Sequence, residues 1–397
     1  MTNWHIITCE YPPQVGGVSD YTRLLARQLR TAGDEVHIWA PQCEAAEEPS
    51  VHRVLGNFSS RDLRQAGELL DRQSGPHMLL VQWVPHGYGK RGVNIGFSRW
   101  IASRVRSGDG LSLMVHEPYL EPGQSSWKLR FVSLAQRRMI RRLLYSASRA
   151  FISIPAWENY LLPYKPPLLQ CEWLPIPATV DAPSDASSVD AIRTAIGKDA
   201  LILGHLGTYS DESCQILEPI LLRVLQENSE VHALLLGSGS DRFAAQLGLV
   251  APDLAGRIRG TGLLENSALA NHISACDLAL QPYLDGLSSR RTSLMNIISR
   301  GVPVVSNTGH LTEQLWSDLH AVALASTSEA TQLASLCLRL LRDDAARREL
   351  AQAGRNLYAS EFDWPKIIAT LRSSPEATQS AAASTSSNRS GSEVTLE

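Results

Sequence analysis

The sequence predicts an α/β protein made of two consecutive Rossmann-like halves with parallel sheets. Three observations carry this reading. Short apolar runs alternate twice over with stretches of helical period, most strands leave through turns of small residues, and a segment rich in proline and small polar residues separates the two series. At 397 residues the chain is long for one core and comfortable for two domains. The expected divisions are a first domain over 1–177, a linker over 178–190 and a second domain over 191–362. A last helix follows over 363–372, then a disordered tail over 373–397, where serine, threonine and alanine dominate without an apolar period.

The first half opens with the strand Trp4–Thr8. Gly16-Gly17 then starts a helix whose apolar positions Tyr21, Leu24, Leu25 and Leu29 share one face and which Gly33 stops. Val36–Trp39 completes a βαβ unit, and with it a parallel sheet. Ligands of such sheets sit at the carboxyl ends of strands, where Gly16 and Gly17 fall. A dinucleotide fits poorly: the turn is not GxGxxG, and Trp39-Ala40-Pro41 stands where a ribose-binding acid would follow. The strand Met78–Trp83 leads into a flexible glycine loop carrying Lys90 and Arg91. The strand Leu111–Val115 ends at His116, placed to face a ligand crevice or to serve as a hydrogen-bonded structural residue. Phe151–Ile154 closes the half.

Between Glu121 and Glu158 the chain has no acidic residue but seven cations, Lys128, Arg130, Arg137, Arg138, Arg141, Arg142 and Arg149. Wound as a helix, Arg130, Arg137, Arg138, Arg141 and Arg142 share a face opposite Val132, Met139, Ile140 and Leu143. This suits an anionic membrane surface or a phosphate-bearing acceptor, and equally a solvated face of a packed helix.

In the second half, Leu201–Leu206 is a strand followed by the turn Gly207-Thr208. A helix from Ser213 to Gln226 comes next, then the strand Val231–Leu236, which leaves through Gly237-Ser238-Gly239. After a helix at 267–276, the strand Leu278–Leu280 enters Pro282–Leu294, a polar glycine turn that opens a helix ending at Gly301; Val302–Val305 follows. Ser288 or Ser289 is expected to cap that helix, with Arg290 and Arg291 in its first turn. Cations there oppose the helix dipole unless an anion offsets them, so the stretch reads as a phosphate site; a solvated arginine pair gives the same local pattern.

Composition bounds the function. Hydrophobic residues make up 44%, charged residues 19%, and the net charge is −3, which excludes a generally basic nucleic-acid binder. The six cysteines are scattered without CxxC spacing, against a disulfide or zinc framework. Polar residues and Pro12-Pro13 interrupt the start, so no signal peptide is read, and the longest apolar runs are too short to span a bilayer. A cytoplasmic location is expected, with peripheral contact at the inner face of the membrane through the basic segment.

Taken together, Glu10-Tyr11-Pro12-Pro13 with Gly16-Gly17-Val18, His116, Gly237-Ser238-Gly239, Gly260-Thr261-Gly262, Asp277–Gly286 and Gly301-Val302-Pro303-Val304-Val305 resemble the retaining GT-B glycosyltransferases of family 4 (glycosyl transferases group 1) across nearly all of 1–372. The resemblance implies two Rossmann-like domains facing a central cleft, with the last helix crossing back to the first domain. It implies that Gly16 and Gly17 lie against a donor diphosphate, that His116 touches the transferred sugar, and that Gly286, Leu287, Ser288 and Ser289 offer amides to sugar and phosphates. Gly207, Thr208, Gly237, Gly262 and Leu263 would line the nucleotide, and Glu10, Lys90 and Arg91 the acceptor side. Two positions depart from the pattern. The family's pair of glutamates is here Asp285 and Ser293, and the basic residues usual near Gly207-Thr208 are absent from 208–216. Arg290 and Arg291 are the replacements for that charge, since a diphosphate leaving group requires it.

The resulting expectation is transfer of a hexose, with retention, from a nucleoside-diphosphate sugar to a glycan, lipid-linked or small-molecule acceptor. His116, Asp285, Arg290 and Arg291 form the catalytic set. The sequence has no Asp-x-Asp, so neither metal nor cofactor is expected beyond the co-substrate. A non-catalytic GT-B scaffold binding a nucleotide or partner enzyme, or a sugar-nucleotide epimerase on the same fold, are the alternatives.

Overall fold

The computed structural model describes residues 1–14, 16–44, 48–121 and 127–373. Most of the tail read as disordered, from 374 on, lies outside them. The chain forms two compact units. One comprises Met1–Ile152, Trp157–Leu174 and the chain from Trp364; the other comprises Ser153–Ala156 and Pro175–Asp363.

In the first unit the order is β1 (Asn3–Ile7), α1 (Gly17–Thr31), β2 (Glu35–Trp39), β3 (Val51–His52), α2 (Ser60–Leu70), β4 (Met78–Trp83) and α3 (Ile95–Arg106). Then come β5 (Gly110–Val115), α4 (Trp127–Ser146), β6 (Arg149–Ile152), α5 (Trp157–Leu161) and β7 (Cys171–Trp173). The sheet runs β3-β2-β1-β4-β5-β6-β7, and its pairings are parallel. Such a sheet is covered on both faces, and its central strands are accordingly mostly apolar and buried, as in Met78–Trp83 and Gly110–Val115. Tyr21, Leu24, Leu25 and Leu29 of α1 are buried, and burying each of the three leucines contributes about 1.5–3 kcal/mol. The helix α2, for which no apolar period was read, starts on a capping box in which Ser59 and Asp62 exchange side-chain and backbone bonds.

The second unit contains α6 (Ala186–Ile196), β8 (Leu201–Leu206), α7 (Asp211–Glu227), β9 (Val231–Leu236), α8 (Ser240–Val250), β10 (Ile258–Gly260), α9 (Asn266–Ser274) and β11 (Leu278–Leu280). It continues with α10 (Thr292–Ile298), β12 (Val304–Asn307), α11 (Gln314–Asp318), β13 (Ala323–Ala325), α12 (Ala330–Arg342) and α13 (Asp344–Leu357). Its sheet, ordered β10-β9-β8-β11-β12-β13, is again parallel. The 178–190 stretch read as a linker is bonded into this unit. Thr179 and Val180 donate their N–H groups to Asn296 Oδ1 at 2.7 and 2.9 Å. The Asp185 carboxylate accepts from Ser188 N at 2.8 Å and so caps α6. The small polar residues there signal a helix start rather than a loose connection.

The last helix, α14 (Trp364–Arg372), belongs to the first unit. Trp364 stacks on Tyr21 with ring centroids 5.8 Å apart, and Arg372 pairs with the buried Asp34 at 2.9 Å. Arg149 corrects the reading of the basic run. It is a buried residue of β6 rather than a surface cation, paired with Glu172 at 2.8 Å. Its guanidinium also donates to Thr370, Leu371 and Ser373 carbonyls, a positive charge set at the C-terminus of α14.

Candidate active site

The stretch that follows β11 is held by the loop that follows β12. Asn307 accepts from Tyr283 N at 2.9 Å and donates to Tyr283 O at 2.8 Å. Leu287 N donates to Asn307 O, and Leu311 N to Asp285 O. Gly286 has φ +85°, and a Cβ there would stand 2.2 Å from Gly309 N, so only glycine lets the two backbones meet. Glu313, buried, accepts from Ser289 N at 2.9 Å, from the Ser289 hydroxyl and from Trp316 Nε1 at 2.8 Å. Burial raises its pKa, and those hydrogen bonds oppose the rise.

This anchoring corrects the expected helix start. Helix α10 begins at Thr292, Arg291 occupies its cap position, and no side chain caps it. Ser289 is committed to Glu313, and Ser288 is buried with its hydroxyl unpartnered among the described residues. Arg290 and Arg291 therefore precede the helix instead of lying in its first turn. The charge conflict read there is met within the chain, because both guanidiniums bind the Asp285 carboxylate. Burial pushes the Asp285 pKa up, but Arg291 and then Arg290 overcome it and hold the group below its ordinary value. Arg291 also lies over the Tyr283 ring, 4.5 Å from its centroid, and the Tyr283 hydroxyl meets Ser293 Oγ at 3.0 Å. Asp285, Arg290, Arg291 and Ser293 thus form one cluster around Tyr283.

The glycine turns gather at the neighbouring strand ends. Gly207 N donates to Leu236 O, Gly237 N to Gly262 O at 3.3 Å, and Gly262 N to Ser240 Oγ at 2.9 Å. Strands β8 and β11 are adjacent and parallel, so the turns after β8, β9 and β10 open on the same sheet edge as the Asp285 cluster. Thr208 and Leu263 are exposed on that edge.

In the first unit, Gly16 precedes α1 and Gly17 is its first residue. The Glu10 carboxylate accepts from Ser19 N at 2.9 Å and lies 2.1 Å from where a Gly16 side chain would begin. Glu10, expected on the acceptor side, thus serves the amino end of α1. His116, just past β5, is buried. Its Nε2 donates to Gln82 Oε1 at 2.8 Å, its carbonyl accepts from Trp157 Nε1 at 2.9 Å, and Tyr21 meets it edge-on at 5.2 Å. Burial lowers its pKa to about 3, so the ring is neutral. Lys90 and Arg91 are exposed on a loop that is tied down rather than flexible: Gln136 Nε2 donates to Pro85 O at 2.8 Å.

Sequence reasoning missed Glu313, Gln82 and Tyr21 as parts of these sites. Gln82 had a usable signal, a polar residue inside an apolar strand; Glu313 had none, because its partner lies 24 residues away.

Residues 218–373 match the family described as glycosyl transferase-like. The chain is 24% identical over 391 residues to a phosphatidyl-myo-inositol mannosyltransferase of Mycolicibacterium smegmatis, covering 92% of this chain and 91% of that protein. Among solved structures, a sucrose-phosphate synthase from Thermosynechococcus elongatus superimposes with TM-score 0.70 at 16% identity, over 97% of this chain and all of that one. Anabaena HepE, solved with UDP and glucose, gives 0.62 at 14% identity over 94% and 98%. The fold is therefore GT-B, two Rossmann-like domains with parallel sheets.

Proposed function

We propose that the protein is a retaining hexosyltransferase of family 4 that uses a nucleoside-diphosphate sugar. The observation that carries this is the arginine pair, inside the matched residues 218–373, fixed beside three glycine turns at one edge of the second sheet. The turns after β8, β9 and β10 take the nucleotide. Arg290 and Arg291 take the diphosphate, exchanging contacts now made to Asp285 for contacts to phosphate oxygens. As the glycosidic bond to phosphate breaks, negative charge grows on the leaving oxygen and the fixed guanidiniums stabilise it without reorganising. His116, neutral and with its one N–H given to Gln82, accepts from a sugar hydroxyl. No side chain is assigned as nucleophile; the acceptor oxygen attacks from the face the diphosphate leaves, and its proton passes to the departing phosphate. Cation chemistry at the leaving group falls to the arginines, so a chelator leaves turnover unchanged. The acceptor is a glycan, a lipid-linked sugar or a small molecule.

A panel of UDP-, GDP- and ADP-sugars tests this by nucleoside diphosphate release and by thermal stabilisation, since specific binding to the folded state raises Tm. One donor should do both, and Arg290→Ala and Arg291→Ala should each weaken diphosphate binding by about 1.5–3 kcal/mol. A panel with neither response would favour the non-catalytic scaffold. An inverted product anomer would sink the retaining assignment alone.

A further inference from the structure

Helix α4 presents a line of side chains to solvent that its packing does not use. It buries Ser133, Gln136, Met139, Ile140, Leu143 and Leu144. On the opposite side, at steps of four and three, stand Trp127, Phe131, Leu134, Arg138, Arg141 and Tyr145. The apolar members are open: Trp127 is 66% exposed, Phe131 64%, Leu134 44% and Tyr145 56%. Such a row at helical spacing is the signature of a seam, yet it faces outward. The five arginines expected on one face do not share it. Arg137 turns onto the Tyr119 ring at 4.4 Å, and Arg142 donates to Ser98 Oγ at 3.1 Å. Lys128, Arg130, Arg138 and Arg141 remain exposed around the apolar row.

We infer that this line docks the protein on an anionic lipid surface, with Trp127, Phe131 and Leu134 entering the headgroup boundary and the four exposed cations meeting lipid phosphates. Charge chooses the occupant. Residues 127–146 hold six cations and no acid, so the same helix of a second copy would bring like charge against like charge. Aromatic and aliphatic side chains flanked by arginine and lysine suit the interface, where one side is apolar and the other charged. The inference rests on α4 alone and stands whether or not the donor reading holds.

Co-sedimentation of the full chain with vesicles of phosphatidylcholine, and of phosphatidylcholine with an equal part of phosphatidylglycerol, tests it. Binding should require phosphatidylglycerol and weaken with salt. Arg138→Gln with Arg141→Gln should lower affinity about 25-fold, each cation near an anionic surface contributing roughly fivefold. Trp127→Ser with Phe131→Ser and Leu134→Ser should abolish the residual binding at high salt and the quenching of tryptophan fluorescence by brominated lipid. All these side chains are open, so both variants should keep the wild-type Tm. The inference is overturned if the wild type ignores anionic vesicles at low salt, or if either variant binds as the wild type does. Concentration-dependent dimerisation that the apolar triple variant removes would also overturn it and assign the face to a second copy.

Discussion

Asp285→Asn separates the two duties the structure gives this carboxylate. In the free protein it pairs with both Arg290 and Arg291; in the proposed complex it stands beside a diphosphate as a like charge. The three side chains are 15–28% exposed, partly shielded from water. Breaking a fully buried pair costs about 3–5 kcal/mol, and partial access of water here brings the expected loss to about 2–3 kcal/mol. For domains of this size that lowers Tm by roughly 5–10 °C. Diphosphate binding moves the other way. A carboxylate about 8 Å from a phosphate charge at an effective dielectric near 20 repels it by about 2 kcal/mol, less after salt screening. Titration calorimetry with inorganic pyrophosphate should therefore show affinity rising about tenfold in the variant. Arg290→Ala serves as the control that lowers it. An Asp285→Asn protein that is folded, has lost stability and binds pyrophosphate no better than wild type would refute the exchange of carboxylate for phosphate.

Gly286→Ala should lose about 2–4 kcal/mol and with it nucleotide binding, because a Cβ at φ +85° collides with the Gly309 backbone; chemical denaturation reads the first effect and calorimetry the second. His116→Ala should lower kcat strongly while nucleoside diphosphate affinity stays within about twofold; a role confined to packing would lower Tm and spare the kcat of the folded fraction. The protein should also be acid-labile. Burial lowers His5, His116 and His205 from 6.5 to about 3, and His77, His37 and His52 add to the effect on His5. These bases stay neutral in the folded state while the unfolded chain takes up protons. Stability is thus intact above 6.5 and falls as pH drops toward about 3, by about 1.4 kcal/mol per pH unit for each histidine. Denaturation series between about pH 7 and pH 4 should show the slope, and His5→Gln should remove about one proton's share of it.

The strands and most of the helices were legible because their signals are local. Met78–Trp83, Leu201–Leu206 and Val231–Leu236 are largely apolar runs, each with a single polar residue, and lie where the sequence puts them. Helix α3 was not read because the Lys90–Arg91 loop and the short glycine turns around it masked its period. Arg149 belongs to a charge run by composition, but the Thr370 and Leu371 carbonyls of α14 and that of Ser373 just after it, more than 200 residues away, take its donors. The same limit governs the arginine pair. Two cations read into the first turn of a helix were visible as a conflict; that they precede the helix and that their partner is Asp285 was not, because five or six residues of turn do not fix which way a carboxylate points.

The two carboxylates Glu10 and Asp285 bear on how an anion would be held. Each sits, within its own unit, where a phosphate is expected, Glu10 against Gly16 and the first turn of α1, where the resemblance implies one, and Asp285 between the two guanidiniums, where the proposed reading puts one. An unliganded site of bare cations and open amides would repel itself, and an unpaired buried charge is costly. Internal carboxylates remove that cost and keep the guanidiniums aimed. On the proposed reading, a donor's diphosphate would then be bound only by the difference between two sets of charge-assisted hydrogen bonds, one to carboxylate and one to phosphate. Ground-state affinity is thereby held down. A leaving group that gains negative charge as its bond breaks pulls harder on the same guanidiniums, and on this reading that increment appears in kcat rather than in KM.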